Sequence, residues 1–366
     1  MGLAGGDVTK QRNEGGADRI EVLDGWRAIS VGLVLVAHLL GHSSVKLPDL
    51  FGAPALATFD PLARLGVDIF FVISGFVICR GLMRERRETG RISLPAFYAR
   101  RVFRIGPPLV AYLACVALLA WMGAVEIHGY GPLARALTFT CNIANADCGG
   151  WLGGHTWSLS VEEQFYLVIP SFLVLLAQNR PAALAMLIVF CLLGLVFSAF
   201  DILIQFVFIG AGVALALNED SARRAVRLLP NWAGYALLAA APALAWARHA
   251  GYELAGLAIV AVIPTLLMWT MLSPSRWRDV LLSPPLQATG RVSYGVYLWQ
   301  QLATYPFAGA GALFYLGAVA GCLAWSLVSF HWIETPLIDF GARLSRRLKQ
   351  AQASNFSCAP ALPRTQ

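Results

Sequence analysis

Arg27 and His38 share one apolar stretch, Trp26-Arg27-Ala28-Ile29-Ser30-Val31-Gly32-Leu33-Val34-Leu35-Val36-Ala37-His38. On an α-helix their offset is a rise of about 16.5 Å with a net rotation of about 20°, so both side chains lie on one face at different depths. Ionisable groups are costly in hydrocarbon, which makes two of them on one stripe of a membrane helix a candidate site. A neutral imidazole can serve as a general base. A guanidinium can hold an anion with two parallel hydrogen bonds. The competing reading is a snorkelling arginine and a histidine bonded to a neighbouring helix.

Four further strings carry polar chemistry. Arg101 and Arg104, in Tyr98-Ala99-Arg100-Arg101-Val102-Phe103-Arg104-Ile105-Gly106-Pro107-Pro108, share a face if helical. Their planar forks suit phosphate; the alternative is a topology determinant with lipid headgroup contacts, favoured for Arg84, Arg86 and Arg87. Glu162 and Glu163 follow Trp157-Ser158-Leu159-Ser160-Val161. Acids at a helix start complement its dipole, with Ser158 or Ser160 as the N-cap. Adjacent residues diverge by about 100°, so at most one glutamate faces a central site. Asp68 precedes Phe70-Phe71-Val72-Ile73-Ser74-Gly75-Phe76, where Ser74 and Gly75 are small enough for a second helix to approach. Tyr294, Tyr297 and Gln301 recur at helical spacing and form a polar stripe.

These residues need a membrane scaffold. The 366-residue chain is 57% hydrophobic and 13% charged, with a mean hydropathy of +0.62, which excludes an ordinary soluble domain. Ten apolar segments are read as spans, near 25–43, 67–83, 106–124, 164–178, 183–199, 202–217, 232–247, 254–272, 292–308 and 312–333. Asp201 marks a turn between the fifth and sixth. With a cytoplasmic N-terminus, this reading places twenty-four of the 28 Lys and Arg inside and four (Lys46, Arg64, Arg135 and Arg248) outside. The expected fold is therefore all-α, a polytopic membrane protein of about ten transmembrane helices with both termini cytoplasmic. Topology accounts for the net charge of +7, with no need for nucleic acid. A cleaved signal peptide is disfavoured, because Ala55-Leu56-Ala57 lies too far beyond the first apolar run.

The expected organisation is a polar N-terminal tail at 1–20, a membrane domain at 21–340 and a basic cytoplasmic tail at 341–366 with a disordered end. Residues Ala342 to Lys349 read as an amphipathic stretch on the inner leaflet. Among seven cysteines, Cys141 and Cys148 flank a short polar loop and are the one candidate disulfide pair. Cys115, Cys191 and Cys322 read as core residues, and no metal-ligand spacing is visible.

The strings Arg27-(ten residues)-His38, Phe70 to Phe76, Arg101-x-x-Arg104 with Ile105 and Pro107, Trp157 to Tyr166, and Ser293-Tyr294-x-x-Tyr297-Leu298-Trp299 occur in one order. Together they resemble the acyltransferase-3 family of integral membrane O-acyltransferases. The resemblance implies ten helices with cytoplasmic termini. It also implies transfer of an acyl group, most often acetyl, from acyl-CoA as co-substrate to a hydroxyl of a carbohydrate or lipid-linked glycan. The topology points to the plasma (inner) membrane of a bacterial-type cell, and the residue spacing leads to no expectation of a metal. Arg27, His38, Arg101 and Arg104 match positions treated as functional in the family. Gln300 departs from it, because many relatives carry His after Leu-Trp.

The expected mechanism follows. Arg27, Arg101 and Arg104 hold the donor's phosphates, the pantetheine arm runs along the first helix, and His38 deprotonates an acceptor hydroxyl arriving from outside. An acyl-histidine is a variant, and Glu162 or Glu163 orients the imidazole. A transporter or flippase for a glycan or lipid intermediate is the alternative, because intramembrane polar groups suit it equally.

Overall fold

The computed structural model describes residues 20–42, 55–127, 129–143, 148–178, 181, 200–307 and 310–357. Among these residues the secondary structure is helical throughout, with no strand. The longer helices are α1 (Glu21–His42), α2 (Ala55–Thr89), α3 (Leu94–Trp121), α6 (Thr156–Gln178), α7 (Phe200–Leu217), α9 (Asn231–His249), α10 (Glu253–Leu272), α13 (Ser293–Ala303), α14 (Ala312–Ser329) and α15 (Thr335–Ser357). Short helices lie between them: α4 (Gly131–Leu137), α5 (Gly150–Gly154), α8 (Glu219–Arg227), α11 (Arg276–Leu281) and α12 (Pro284–Arg291). A π-helical turn, Phe330–Glu334, joins α14 to α15.

Among the described residues six helices are long and apolar enough to cross a bilayer: Glu21–Leu40, Phe59–Thr89, Leu94–Trp121, Gly150–Leu175, Glu253–Leu272 and Leu313–Gln352. The pair α8 and α9, bent by 110°, makes a seventh if counted as one span. The apolar stretch Gln205–Leu217 is shorter, and α13 has only 11 residues. Helices thus stand at every expected span that falls on described residues. The expected span at 183–199 lies outside them, as does the tail at 1–19.

Close backbone approach fixes how the central helices pack. A Cβ on Gly75 would strike the carbonyl oxygen of Ile209, and one on Gly212 would strike that of Val72. Helices α2 and α7 therefore touch at glycine on both sides, as small residues permit in a bilayer. Gly25 lies against Leu281, and Gly290 against the backbone of Asp24, so α11 and α12 clasp the start of α1. Trp26 Nε1 donates to Thr270 Oγ1 at 2.9 Å and ties α1 to α10.

Several local expectations need correction. The helices at the expected spans 67–83 and 106–124 run well beyond them: α2 continues to Thr89 and α3 begins at Leu94. The span Phe59–Thr89 is 31 residues long, about 46 Å, so its arginine-bearing end projects beyond a ~30 Å hydrocarbon core. Asp68 does not open a helix. It lies within α2, fully buried, and accepts a hydrogen bond from Arg248 at 2.8 Å. Ser158 and Ser160 are not N-caps, because α6 starts at Thr156; Ser160 Oγ donates back to the Thr156 carbonyl at 3.0 Å. Asp201 falls in the first turn of α7.

The stretch from Ala342 to Lys349 lies inside α15 and packs on α3. Phe340 stacks edge-on with Phe103 at 4.9 Å, Arg100 donates to Ser345, and Lys349 pairs with Glu85 at 3.0 Å. The boundary expected at residue 340 falls within this helix. Residues 358–366 lie outside the described set.

Candidate active site

Helix α1 carries Arg27 and His38, and they open into different cavities. Arg27 lines a narrow cavity of about 110 Å³ together with Ser74, Arg101, Arg104, Glu162 and Tyr294. His38 lines a wider cleft of about 490 Å³ together with Asp60, Arg64, Trp151, His155 and Gln301. Val67 and Tyr297 line both, so these two side chains form the shared wall. The helical register of α1 and the depth difference between its two ionisable residues therefore appear in the fold as two chambers.

The arginine chamber is built from α1, α2, α3, α6 and α13. Arg27 Nη1 donates to Asp24 Oδ1 at 2.9 Å, one turn earlier on α1. Asp24 is itself buried, so the pair presets the guanidinium at the chamber's edge. Arg101 and Arg104 project from the same face of α3, as their spacing requires. The Arg101 guanidinium lies 4.6 Å from the centre of the Tyr166 ring. Tyr166 and Ser74 both donate to Glu162 Oε1. Three cations thus face one carboxylate lining the same space, which leaves room for anionic oxygens. Glu162 is the glutamate that faces this chamber. Glu163 is not among its lining residues and sits half-buried one position round the helix.

In the wider cleft His38 Nδ1 is 2.8 Å from Oε1 of Gln300. Its ring meets Trp151 edge-on at 5.1 Å. Trp151 Nε1 donates to the carbonyl of Gln301 at 2.8 Å, and Gln301 Nε2 donates to the carbonyl of Trp151 at 3.0 Å. Helix α13 therefore supplies one direct contact to the imidazole and anchors another. Tyr297, on the same helix, bonds the backbone oxygen of His155 at 3.0 Å and shares a hydrogen bond with Ser158 Oγ at 2.6 Å. The stripe expected from Tyr294, Tyr297 and Gln301 is thus inward-facing. Tyr294 donates to the carbonyl of Ile105 at 2.9 Å.

Three features escaped sequence reasoning. His155, 4% exposed, lines the same cleft as His38, and neither ring nitrogen has a hydrogen-bond partner. Its apolar-looking neighbours hid it, although the string Gly154-His155-Thr156-Trp157 was visible. Glu334 is buried in the π-helical turn, and π turns frequently mark functional positions. Gln300 has no exposed surface and reaches His38 across 262 residues of sequence.

The segment that precedes α5 is stapled. Cys141 and Cys148 form a disulfide. Gln164 Nε2 donates to Asn142 Oδ1 at 2.8 Å and to the carbonyl of Phe139 at 2.9 Å, which fastens that loop to α6. Cys79 and Cys322 are buried and unpaired, and Cys115 is half-buried. Among the described residues no group of three His, Cys, Asp or Glu side chains is placed to hold a metal ion.

A family model described as an acyltransferase domain matches residues 20–333. The O-acetyltransferase OatA of Staphylococcus aureus (strain NCTC 8325 / PS 47) is 27% identical over 361 residues, covering 86% of this chain and 56% of that protein. A Bacillus subtilis (strain 168) protein named "Putative peptidoglycan O-acetyltransferase YrhL" is 26% identical over 339 residues, covering 78% of this chain and 52% of that protein. The chain therefore spans about half the length of these curated relatives. No solved structure matches it. The family match runs through both chambers, from the start of α1 to the π-helical turn, and the chain belongs to the acyltransferase-3 family.

Proposed function

We propose that the chain is a membrane O-acyltransferase that moves an acyl group, acetyl by preference, from cytoplasmic acyl-CoA to a hydroxyl of a carbohydrate or lipid-linked glycan. The observation that carries this reading is the pair of chambers meeting at Val67 and Tyr297, with three arginines in one and His38 in the other. Phosphates are the natural occupants of an arginine cluster. The narrow chamber suits an extended thioester arm, with the nucleotide held at its mouth by Arg27, Arg101 and Arg104. The wider cleft suits a sugar. The names of the two relatives support an acetyl donor and a glycan acceptor.

The reading includes ten spans with both termini in the cytoplasm and a plasma (inner) membrane location. Residues assigned to one side by the charge partition meet in the fold. Arg27, Arg101 and Arg104 share one chamber, and the outer residue Arg64 lines the cleft of His38. A disulfide between Cys141 and Cys148, in the loop assigned outside, fits an oxidising compartment.

In this reading His38 accepts the acceptor hydroxyl's proton as its oxygen attacks the thioester carbonyl. Collapse of the tetrahedral intermediate breaks the C–S bond, and the departing thiolate takes the proton from the imidazolium. Glu162 orders the donor chamber through Ser74, Tyr166 and the neighbouring arginines. The test is release of free CoA thiol from acetyl-CoA by purified protein. Acceptor-dependent release supports acyl transfer. Glycan movement across vesicles without any thiol release would instead identify a transporter.

A further inference from the structure

We infer that Gln300 is a positioning residue for His38, holding the imidazole as the Nδ1–H tautomer so that Nε2 carries the lone pair. This inference rests on the reading of His38 as the general base.

The geometry is direct. Gln300 Oε1 lies 2.8 Å from His38 Nδ1. With the amide turned so that its oxygen, a pure acceptor, faces the ring, the ring nitrogen it meets carries the proton, while the Gln300 amide nitrogen is buried without a partner. In a neutral imidazole the second nitrogen then holds the basic lone pair. A partner on one ring nitrogen also fixes the ring's rotation, because both χ angles must satisfy it. Gln300 is well placed to impose that constraint. It has no exposed surface, its backbone carbonyl accepts from the Thr304 amide at 2.9 Å and from Thr304 Oγ1 at 2.8 Å, and it sits in α13 between Trp299 and Gln301.

A second contact to the imidazole is anchored to the same helix. Trp151 meets the ring edge-on at 5.1 Å and is locked to Gln301 by reciprocal hydrogen bonds of 2.8 and 3.0 Å. One short helix therefore sets both the protonation site and the ring plane. The other titratable or charged groups lining the cleft of His38 are Asp60 and Arg64 from α2, His155 beside α6 and Tyr297 from α13. The carboxylate at Glu162, by contrast, lines the arginine chamber and accepts from Ser74 and Tyr166. Fixing the tautomer is the task a carboxylate performs in a hydrolase triad, and here a neutral amide does it without placing a second charge in the membrane.

The test has a spectroscopic arm and a kinetic arm, both on the full-length protein. Nitrogen-15 NMR of histidine-labelled protein, with the His38 signal assigned by its loss in His38→Gln, is expected to show a protonated Nδ1 and an unprotonated Nε2. The reverse tautomer overturns the inference. In the kinetic arm, Gln300→Leu removes the acceptor and is expected to lower kcat at least about 10-fold, the lower end of the loss when a metal-bound histidine loses its hydrogen-bond partner, with KM for acetyl-CoA unchanged. Gln300→Glu restores an acceptor oxygen and is expected to recover most of the rate. Wild-type kcat in Gln300→Leu, or equal impairment in both variants, overturns the inference. If Gln300→Leu fails to fold, the NMR result on the unsubstituted protein decides. Full activity in His38→Ala would instead remove the general-base reading while leaving the tautomer measurement intact.

Discussion

The guanidinium of Arg101 lies 4.6 Å from the ring centre of Tyr166, whose hydroxyl donates to Glu162. A cation over an aromatic face gains about 0.5–2 kcal/mol, and arginine's flat fork uses that stacking while its edge stays available for an anion. Arg101→Lys keeps the charge and loses the fork. It is expected to raise KM for acetyl-CoA roughly tenfold, with a smaller change in kcat. Steady-state kinetics at varied donor concentration check this, and an unchanged KM counts against a phosphate role.

The ion pair of Asp68 with Arg248 is a structural strut. Asp68 has no exposed surface, the N–O distance is 2.8 Å, and Arg248 also lies 5.7 Å from the Phe208 ring centre. Removing one buried partner typically costs about 3–5 kcal/mol, whereas replacing both with apolar groups costs far less. Asp68→Leu is therefore expected to lower the melting temperature in detergent more than the Asp68→Leu, Arg248→Met double variant does. A fully additive cycle would show that the pair is not coupled.

Helices α2 and α7 meet at Gly75 and Gly212, where an added Cβ would strike a carbonyl oxygen of the other helix. Gly75→Val is expected to destabilise the protein by about 1–3 kcal/mol through overpacking. Gly32, where an added Cβ would meet nothing within 4 Å, serves as the control. Gly32→Ala is expected to be neutral or mildly stabilising in thermal denaturation.

Topology can be read chemically. In the proposed arrangement Arg135 faces outward and Arg291 inward. A cysteine at 135 in a variant otherwise lacking cysteine is expected to react with a membrane-impermeant maleimide in intact cells. One at 291 is expected to react only after permeabilisation. Reaction at both before permeabilisation would overturn the ten-span arrangement.

Much of this was legible in the sequence because it depends on local geometry. The rise and rotation between Arg27 and His38 follow from helical arithmetic, as does the shared face of Arg101 and Arg104. The packing role of Gly75 follows from its size, and the pairing of Cys141 with Cys148 agrees with their position around one short loop. Other features depend on partners distant in sequence. Nothing local to Gln300 indicates that it meets His38, and nothing local to Arg100, Ser345, Lys349 and Glu85 indicates that α15 folds back onto α3 and the end of α2. Helix ends were the remaining gap. Hydropathy locates the apolar part of α2 but not its basic extension to Thr89, since arginine and glutamate are good helix formers outside the bilayer.

Whether His38 is the general base is decided by acceptor acylation with purified wild-type and His38→Ala proteins, followed together by CoA thiol release and by mass spectrometry of the glycan product. Acceptor-dependent thiol release and an O-acetylated product are expected from the wild type. Both are expected to be lost in His38→Ala, with donor binding through the arginine chamber retained. Thiol release and product at the wild-type rate in His38→Ala would contradict the assignment.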